Sequence, residues 1–153
     1  MSRFHSALVT LSRPLRLMPT AAHSHVLATV LNQVMKESIA QGELEFLQDR
    51  RVGIEIEDLG IRYRLGFSQG RLRGYGDGAR ADAAIAGGLH EFLLLATRRE
   101  DADTLFFQRR LRMSGSTELG LYLKNFLDAF EPPARIAPLI RGLERLLDRL
   151  PQP

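Results

Sequence analysis

Apolar positions recur along this chain with two different periods, and each change of period marks a new element. Phe4, Leu8, Leu11, Leu15 and Met18 follow one another at spacings of four, three, four and three. That is a helical rhythm, and Pro14 and Pro19 are expected to kink or end it. Val26, Leu27, Val30, Leu31, Val34, Met35 and Ile39 share one side of a second predicted helix over 24–41, with Gly42 as its stop. The rhythm then shortens to two. Val52, Ile54 and Ile56 alternate with Gly53, Glu55 and Glu57, and Ile61, Tyr63, Leu65 and Phe67 alternate with Arg62, Arg64 and Gly66. Such alternation predicts strands with one buried and one wet face. Asp58-Leu59-Gly60 reads as the turn of an antiparallel hairpin. On its wet face Glu55 and Glu57 are expected opposite Arg62 and Arg64. Ser68-Gln69-Gly70 reads as a further turn, Leu72 as part of a third strand and residues 82–86 as a fourth.

The second half returns to helical spacing. Leu89, Phe92, Leu93 and Ala96 predict a helix ending near Arg98. Asp101-Ala102-Asp103-Thr104 is suited to cap a short turn carrying Leu105, Phe106 and Phe107. Residues 110–114 read as a fifth strand, broken by Gly115, with Ser116 or Thr117 capping the next helix. Leu119, Tyr122, Leu123, Phe126, Leu127 and Phe130 then form a long apolar stripe that Pro132-Pro133 terminates. In the last segment Leu139, Ile140, Leu143, Leu146, Leu147 and Leu150 make one side of a helix, and Arg141, Arg145 and Arg149 line the other at four-residue spacing. The pattern predicts an α+β fold. It divides the chain into three regions: an amphipathic segment over 1–20, a domain over 21–131 and an amphipathic helix over 132–153.

Composition narrows the function. The chain of 153 residues has no Cys, which removes disulfides, thiolate catalysis and Cys-based metal sites together. No run of apolar residues is long enough for a transmembrane helix. The apolar stretch after Arg3 is too short for a secretory signal and is interrupted by Ser12-Arg13-Pro14, so a cytoplasmic protein is expected. Net charge is only +3, yet 19 of the 21 basic residues are Arg. Arg suits phosphate because its planar fork makes paired hydrogen bonds. The opposing glutamates on the hairpin account for some of these arginines, and Arg62, Arg64, Arg71 and Arg73 have no interleaved aromatic platform of the kind that binds nucleic acid.

Catalytic patterns are scarce. His23 and His25, two residues apart, fall on different sides of a helix start and read as capping or solvent groups, not ligands. Gly74-Tyr75-Gly76-Asp77-Gly78 lacks the spacing of a phosphate-binding loop and reads as a turn or bulge. Asp101 and Asp103 lack the Gly and Glu that complete a calcium loop. Ser114-Gly115-Ser116 lacks the flanks of a nucleophile elbow. The residues therefore suggest no enzyme, no cofactor and no metal.

Several segments carry a family resemblance. They are Gly42-Glu43-Leu44-Glu45-Phe46-Leu47, the long run Asp101-Ala102-Asp103-Thr104-Leu105-Phe106-Phe107-Gln108-Arg109-Arg110-Leu111, and Thr117-Glu118-Leu119-Gly120-Leu121-Tyr122 with Lys124-Asn125 and Asp128-Ala129. Over about residues 25–130 the chain resembles the bacterial accessory factors of ubiquinone biosynthesis, a group within the sterol carrier protein 2-like lipid-binding domains. The resemblance implies a five-stranded antiparallel sheet with helices on one face, enclosing an apolar cavity for a lipid. It also implies a non-catalytic role in the oxygen-independent route to ubiquinone, beside the hydroxylating partner proteins UbiU and UbiV. A polyprenyl chain gains about 0.8 kcal/mol per buried carbon unit, so an apolar tunnel suffices to hold it.

Phe92, Leu93, Phe106, Phe107, Met113, Leu119, Leu123, Phe126 and Phe130 are the lipid-lining candidates, although packing explains helical stripes equally well. Arg141, Arg145 and Arg149 are the candidate contacts to an anionic membrane surface, with the inner membrane as the expected peripheral site. The alternatives are a general phospholipid or fatty-acyl carrier and a nucleic-acid-binding module. The sequence leaves a homodimer open.

Overall fold

A computed structural model describes residues 18–151 of the chain; the predicted amphipathic segment, apart from Met18 to Thr20, lies outside them. The first helix, α1 (Thr20–Val34), is followed by the short α2 (Lys36–Ala40) and a 3-10 turn (Glu45–Leu47). The 24–41 stripe thus forms two helices instead of one, because Met35 leaves helical geometry at φ −102° and ψ 18°. Gly42, at φ +76°, stops α2 as expected. Strands β1 (Arg51–Ile56), β2 (Ile61–Ser68), β3 (Arg71–Tyr75) and β4 (Ala83–Gly87) come next. Then follow α3 (Leu89–Ala96), α4 (Ala102–Phe107), β5 (Arg112–Gly115), α5 (Thr117–Ala129), a second 3-10 turn (Ala134–Ile136) and α6 (Ala137–Arg149).

The hairpin has the register that the alternation predicts, with Val52 opposite Leu65 and Ile56 opposite Ile61. Gln69 and Gly70 both have positive φ, 53° and 74°, and they close a two-residue turn in which Ser68 faces Arg71. Two positive φ values match the twist of adjacent strands. Gly74 and Tyr75, expected in a turn or bulge, are the last residues of β3.

The strand order is β3-β2-β1-β4-β5. The expectation of a wholly antiparallel sheet is corrected at one pair: β4 runs parallel to β1, with Ile54 beside Ile85. Residues 76–82 carry the chain from one edge of the hairpin past β1, and the crossing reverses the sense that a tight turn would impose. Asp82 fastens the junction, since its Oδ2 accepts from the Arg51 amide at 2.8 Å and its own amide donates to the Arg51 carbonyl at 2.8 Å.

Register places Val52, Ile54, Leu65, Phe67, Leu72, Gly74, Ala83, Ile85 and Met113 on one sheet face, and the helices cover it. Helix α1 lies on β2 and β3. Ser24 Oγ accepts from the Arg64 amide at 2.8 Å. The Asn32 carboxamide meets both backbone groups of Leu72, accepting at 2.8 Å and donating at 2.9 Å. Those two bonds satisfy an edge strand that would otherwise offer its backbone to other chains. Asp101 and Ser116 cap α4 and α5 through the amides of Thr104 and Leu119, as the sequence leads one to expect.

Ion pairs tie α6 and its preceding turn to the rest, the two shortest being those of Arg135 and Arg99. Arg135 donates to both carboxylate oxygens of Glu37 at 2.9 Å, and Arg99 reaches Asp148 at 2.6 Å. The Arg135 hydrogen bond holds the Glu37 carboxyl below its ordinary value of 4.5, and Arg99 holds Asp148 below 3.8. In the unfolded chain both groups protonate first as pH falls. The stability they contribute is therefore complete above about pH 4.5 and declines below it. We expect the urea midpoint to fall as pH drops through that window, and to fall less steeply in a Glu37→Gln/Asp148→Asn double variant. An equal slope in both proteins would rule these pairs out as the source.

Candidate functional site

Much of the space between sheet and helices is taken up by side chains. Phe67, Leu105, Leu111, Leu119 and Leu147 are all no more than 2% exposed there, and Leu93 and Leu123 belong to the same core. Three of the nine lipid-lining candidates, Leu93, Leu119 and Leu123, are thus packing residues first. Phe92 is half-buried against this core. Phe126, also half-buried against this core, and Phe130 sit in an aromatic row. Phe126 lies 6.0 Å from Phe46 and 5.8 Å from Phe130, and Phe46 stacks on Tyr122 at 6.0 Å. Phe107 points outward and is 87% exposed, because one step round a helix from Phe106 turns a side chain by about 100°.

Phe106 and Met113 do come together. They form the wall of a pocket of about 300 Å³ between the end of α4, strand β5 and the start of α5. Leu121 and Lys124 complete the wall, and residues 114–117 form the rim. Gly120 makes room beneath: a Cβ there would sit 2.9 Å from Met113 Cγ. Lys124 at the rim is paired with Asp103 at 2.5 Å. The lining is mostly hydrocarbon, with the serine and threonine groups at one end. This is the chemistry of a site for an apolar chain bearing a small polar head.

Gly120 and Leu121 were not foreseen. The available signal was a glycine set inside the apolar stripe of an otherwise regular helix, where a missing side chain marks a gap or a close approach.

A second opening of about 240 Å³ lies between α1 and β2, lined by Met18, Val26, Leu27, Val30, Ile61, His23 and Tyr63. His23, expected at a cap or in solvent, is buried here, with its ring edge-on to Tyr63 at 6.1 Å. Burial raises the Tyr63 phenol above its ordinary value, so the ring stays neutral and protonated at physiological pH.

Helix α6 shows its Arg141, Arg145 and Arg149 row to solvent; on its leucine side Leu139 is exposed, Leu143 and Leu146 are half-buried, and Leu147 and Leu150 are buried in the domain. No helix among the described residues is long and apolar enough to cross a membrane. Among them, too, no three His, Asp or Glu side chains gather as metal ligands.

Comparison with known proteins gives this geometry its context. The family model described as "SCP-2 sterol transfer family" matches residues 27–128, which run from α1 through α5. The chain is 40% identical over 121 residues to the ubiquinone biosynthesis accessory factor UbiT of Escherichia coli K12, covering 79% of this chain and 69% of that protein. The UbiT of Escherichia coli O157:H7 matches to the same extent. A solved structure titled "UbiJ-SCP2 Ubiquinone synthesis protein" superposes with a TM-score of 0.57 at 16% identity, covering 70% of this chain and 94% of that one; at that identity the likeness speaks for the fold alone. The family match spans two thirds of the chain, and the chain belongs to the SCP-2 sterol transfer family.

Proposed function

We propose that this protein is a non-catalytic, lipid-binding accessory factor of ubiquinone biosynthesis, and that it holds polyprenyl quinone precursors for the oxygen-independent route. The observation that carries the reading is the hydrocarbon-walled pocket of Phe106, Met113 and Leu121, inside the stretch shared with UbiT. A pocket of this size accepts the ring end of such a lipid or a few isoprene units. A longer tail would extend along Phe106 or displace side chains at the β5 edge. The remaining lining candidates, Phe92, Phe126 and Phe130, would then follow the tail by repacking. In this reading UbiU and UbiV receive the ligand. The Arg141, Arg145, Arg149 row rests the protein on the anionic inner surface of the membrane from which the lipid comes.

Native mass spectrometry of the purified protein followed by lipid extraction tests the reading. Co-purifying quinone precursors are expected. Mixed phospholipids in their place would indicate a general carrier, and bound nucleic acid would overturn both. In cells, deleting the gene should lower ubiquinone only during growth without oxygen. Equal loss with oxygen would remove the pathway assignment while leaving the lipid site.

A further inference from the structure

The sheet face turned away from the helices carries Arg51, Glu55, Arg62, Arg64, Arg71, Arg73, Tyr75 and Arg112 by register. The expected pairing of this face is only half present. Arg62 meets Glu55 at 3.4 Å, but Glu57 pairs with Arg112 and not with Arg64. Arg51, Arg64, Arg71 and Arg73 meet no carboxylate among the described residues.

The guanidiniums of Arg51, Arg64 and Arg73 are held in place by neutral groups. Tyr75 lies flat over Gly66, where a Cβ would come within 2.7 Å of its ring, and Arg51 stacks on that ring at 4.5 Å. Arg73 flanks the same glycine and is held by Gln69 Oε1 at 2.7 Å. Arg64 lies over Gly53, where a Cβ would sit 2.7 Å from Nη1, and donates to the Tyr63 carbonyl at 3.2 Å. The Nε atoms of Arg64 and Arg73 are covered and have no acceptor. Three strands, about 10 Å from first to third, therefore present uncompensated positive charge around one aromatic ring.

We propose that this outer sheet face docks the acidic surface of a protein partner, with carboxylates seated between Arg51, Arg64 and Arg73 around Tyr75. Charge complementarity selects the partner, because no acid among the described residues neutralises the cluster. Pre-ordering selects a protein over a fluid bilayer: stacked and tethered guanidiniums lose little freedom on meeting fixed carboxylates. Arg and Tyr are also the residue types that anchor protein interfaces, where Lys is depleted. A contact carried by a few charged groups is transient, fast and salt-dependent. The inference stands on the outer face alone and survives or fails independently of the lipid reading.

The test uses the full chain and a labelled poly-glutamate peptide, with melting curves to verify folding. An Arg64→Gln/Arg73→Gln double variant should bind roughly tenfold more weakly at low salt. An Arg80→Gln/Arg109→Gln variant, which removes the same charge elsewhere, should stay within about twofold. Binding of the parent protein should weaken as salt rises, and the sheet variant should show a shallower dependence. Equal weakening of both variants would mean that net charge alone binds the peptide and would overturn the proposal, as would no binding by the parent chain. Phosphatidylglycerol vesicles or a single-stranded oligonucleotide that depend on Arg64 and Arg73, while the peptide does not, would also overturn it.

Discussion

Gly74→Ala is expected to destabilise the protein by about 3 kcal/mol, at the upper end of what overpacking costs. The added methyl would sit 2.3 Å from the His25 amide nitrogen and 2.4 Å from the Ser24 carbonyl carbon. Both are backbone atoms of α1, so no side-chain rotation relieves the contact. The helix must lift off β3, and that motion strains the Ser24 bond to Arg64 and the paired Asn32 bonds to Leu72. Gly78→Ala provides the control. Nothing lies within 4 Å of its Cβ position, so its effect should stay within about 0.5 kcal/mol. Urea unfolding of the three proteins decides the matter, and equal midpoints for Gly74→Ala and the parent would show that α1 does not approach β3 this closely.

A second pair of variants separates core from pocket inside one helix. Leu119 is fully buried and Leu121 is 54% exposed at the pocket wall. Leu119→Ala leaves a cavity and should cost roughly 2–5 kcal/mol, lowering Tm by on the order of 10 °C for a chain of this size. Leu121→Asp adds a charge that water still reaches, so Tm should change little. The effects on ligand should be opposite. A short-chain ubiquinone analogue at a hundred times its Kd should stabilise the parent by about 2.7 kcal/mol. Leu119→Ala should keep most of that rise, while Leu121→Asp should lose it, because the tail would have to desolvate a carboxylate. A full rise in Leu121→Asp would move the lipid away from the β5 edge.

These two helix positions also show what the stripe on α5 conveys. Its period places Leu119 and Leu123 inward, and the structure agrees. The same period says nothing of whether an inward residue meets protein or an opening. Phe106 and Met113 line the pocket while Phe126 packs on Phe46 and Phe130 on Phe126, because the destination of each ring depends on what the 3-10 turn and β5 bring opposite it. The pocket was therefore legible as a set of apolar residues but not as a place.

The period-two stretches, the positive-φ turns at Gly60 and Gly70, the stop at Gly42 and the caps at Asp101 and Ser116 are local. Each depends on a few neighbouring residues, and the sequence by itself determined the hairpin, the five strands and the helices after them. Three features were decided only in the assembled fold. The parallel β1–β4 pair follows from where residues 76–82 cross, and no local pattern encodes that direction. The burial of Leu147 and Leu150 follows from α6 having α3 to pack on; an amphipathic stripe asks for an apolar neighbour without specifying which one. Arg64 meets no carboxylate among the described residues because the register sets Gly53 opposite it, while Glu57, beyond the end of β1, reaches Arg112 on β5, a residue 55 positions away. Charges pair with whatever the topology places within reach, so alternation set the face on which Arg64 lies, and the sheet order set its neighbours.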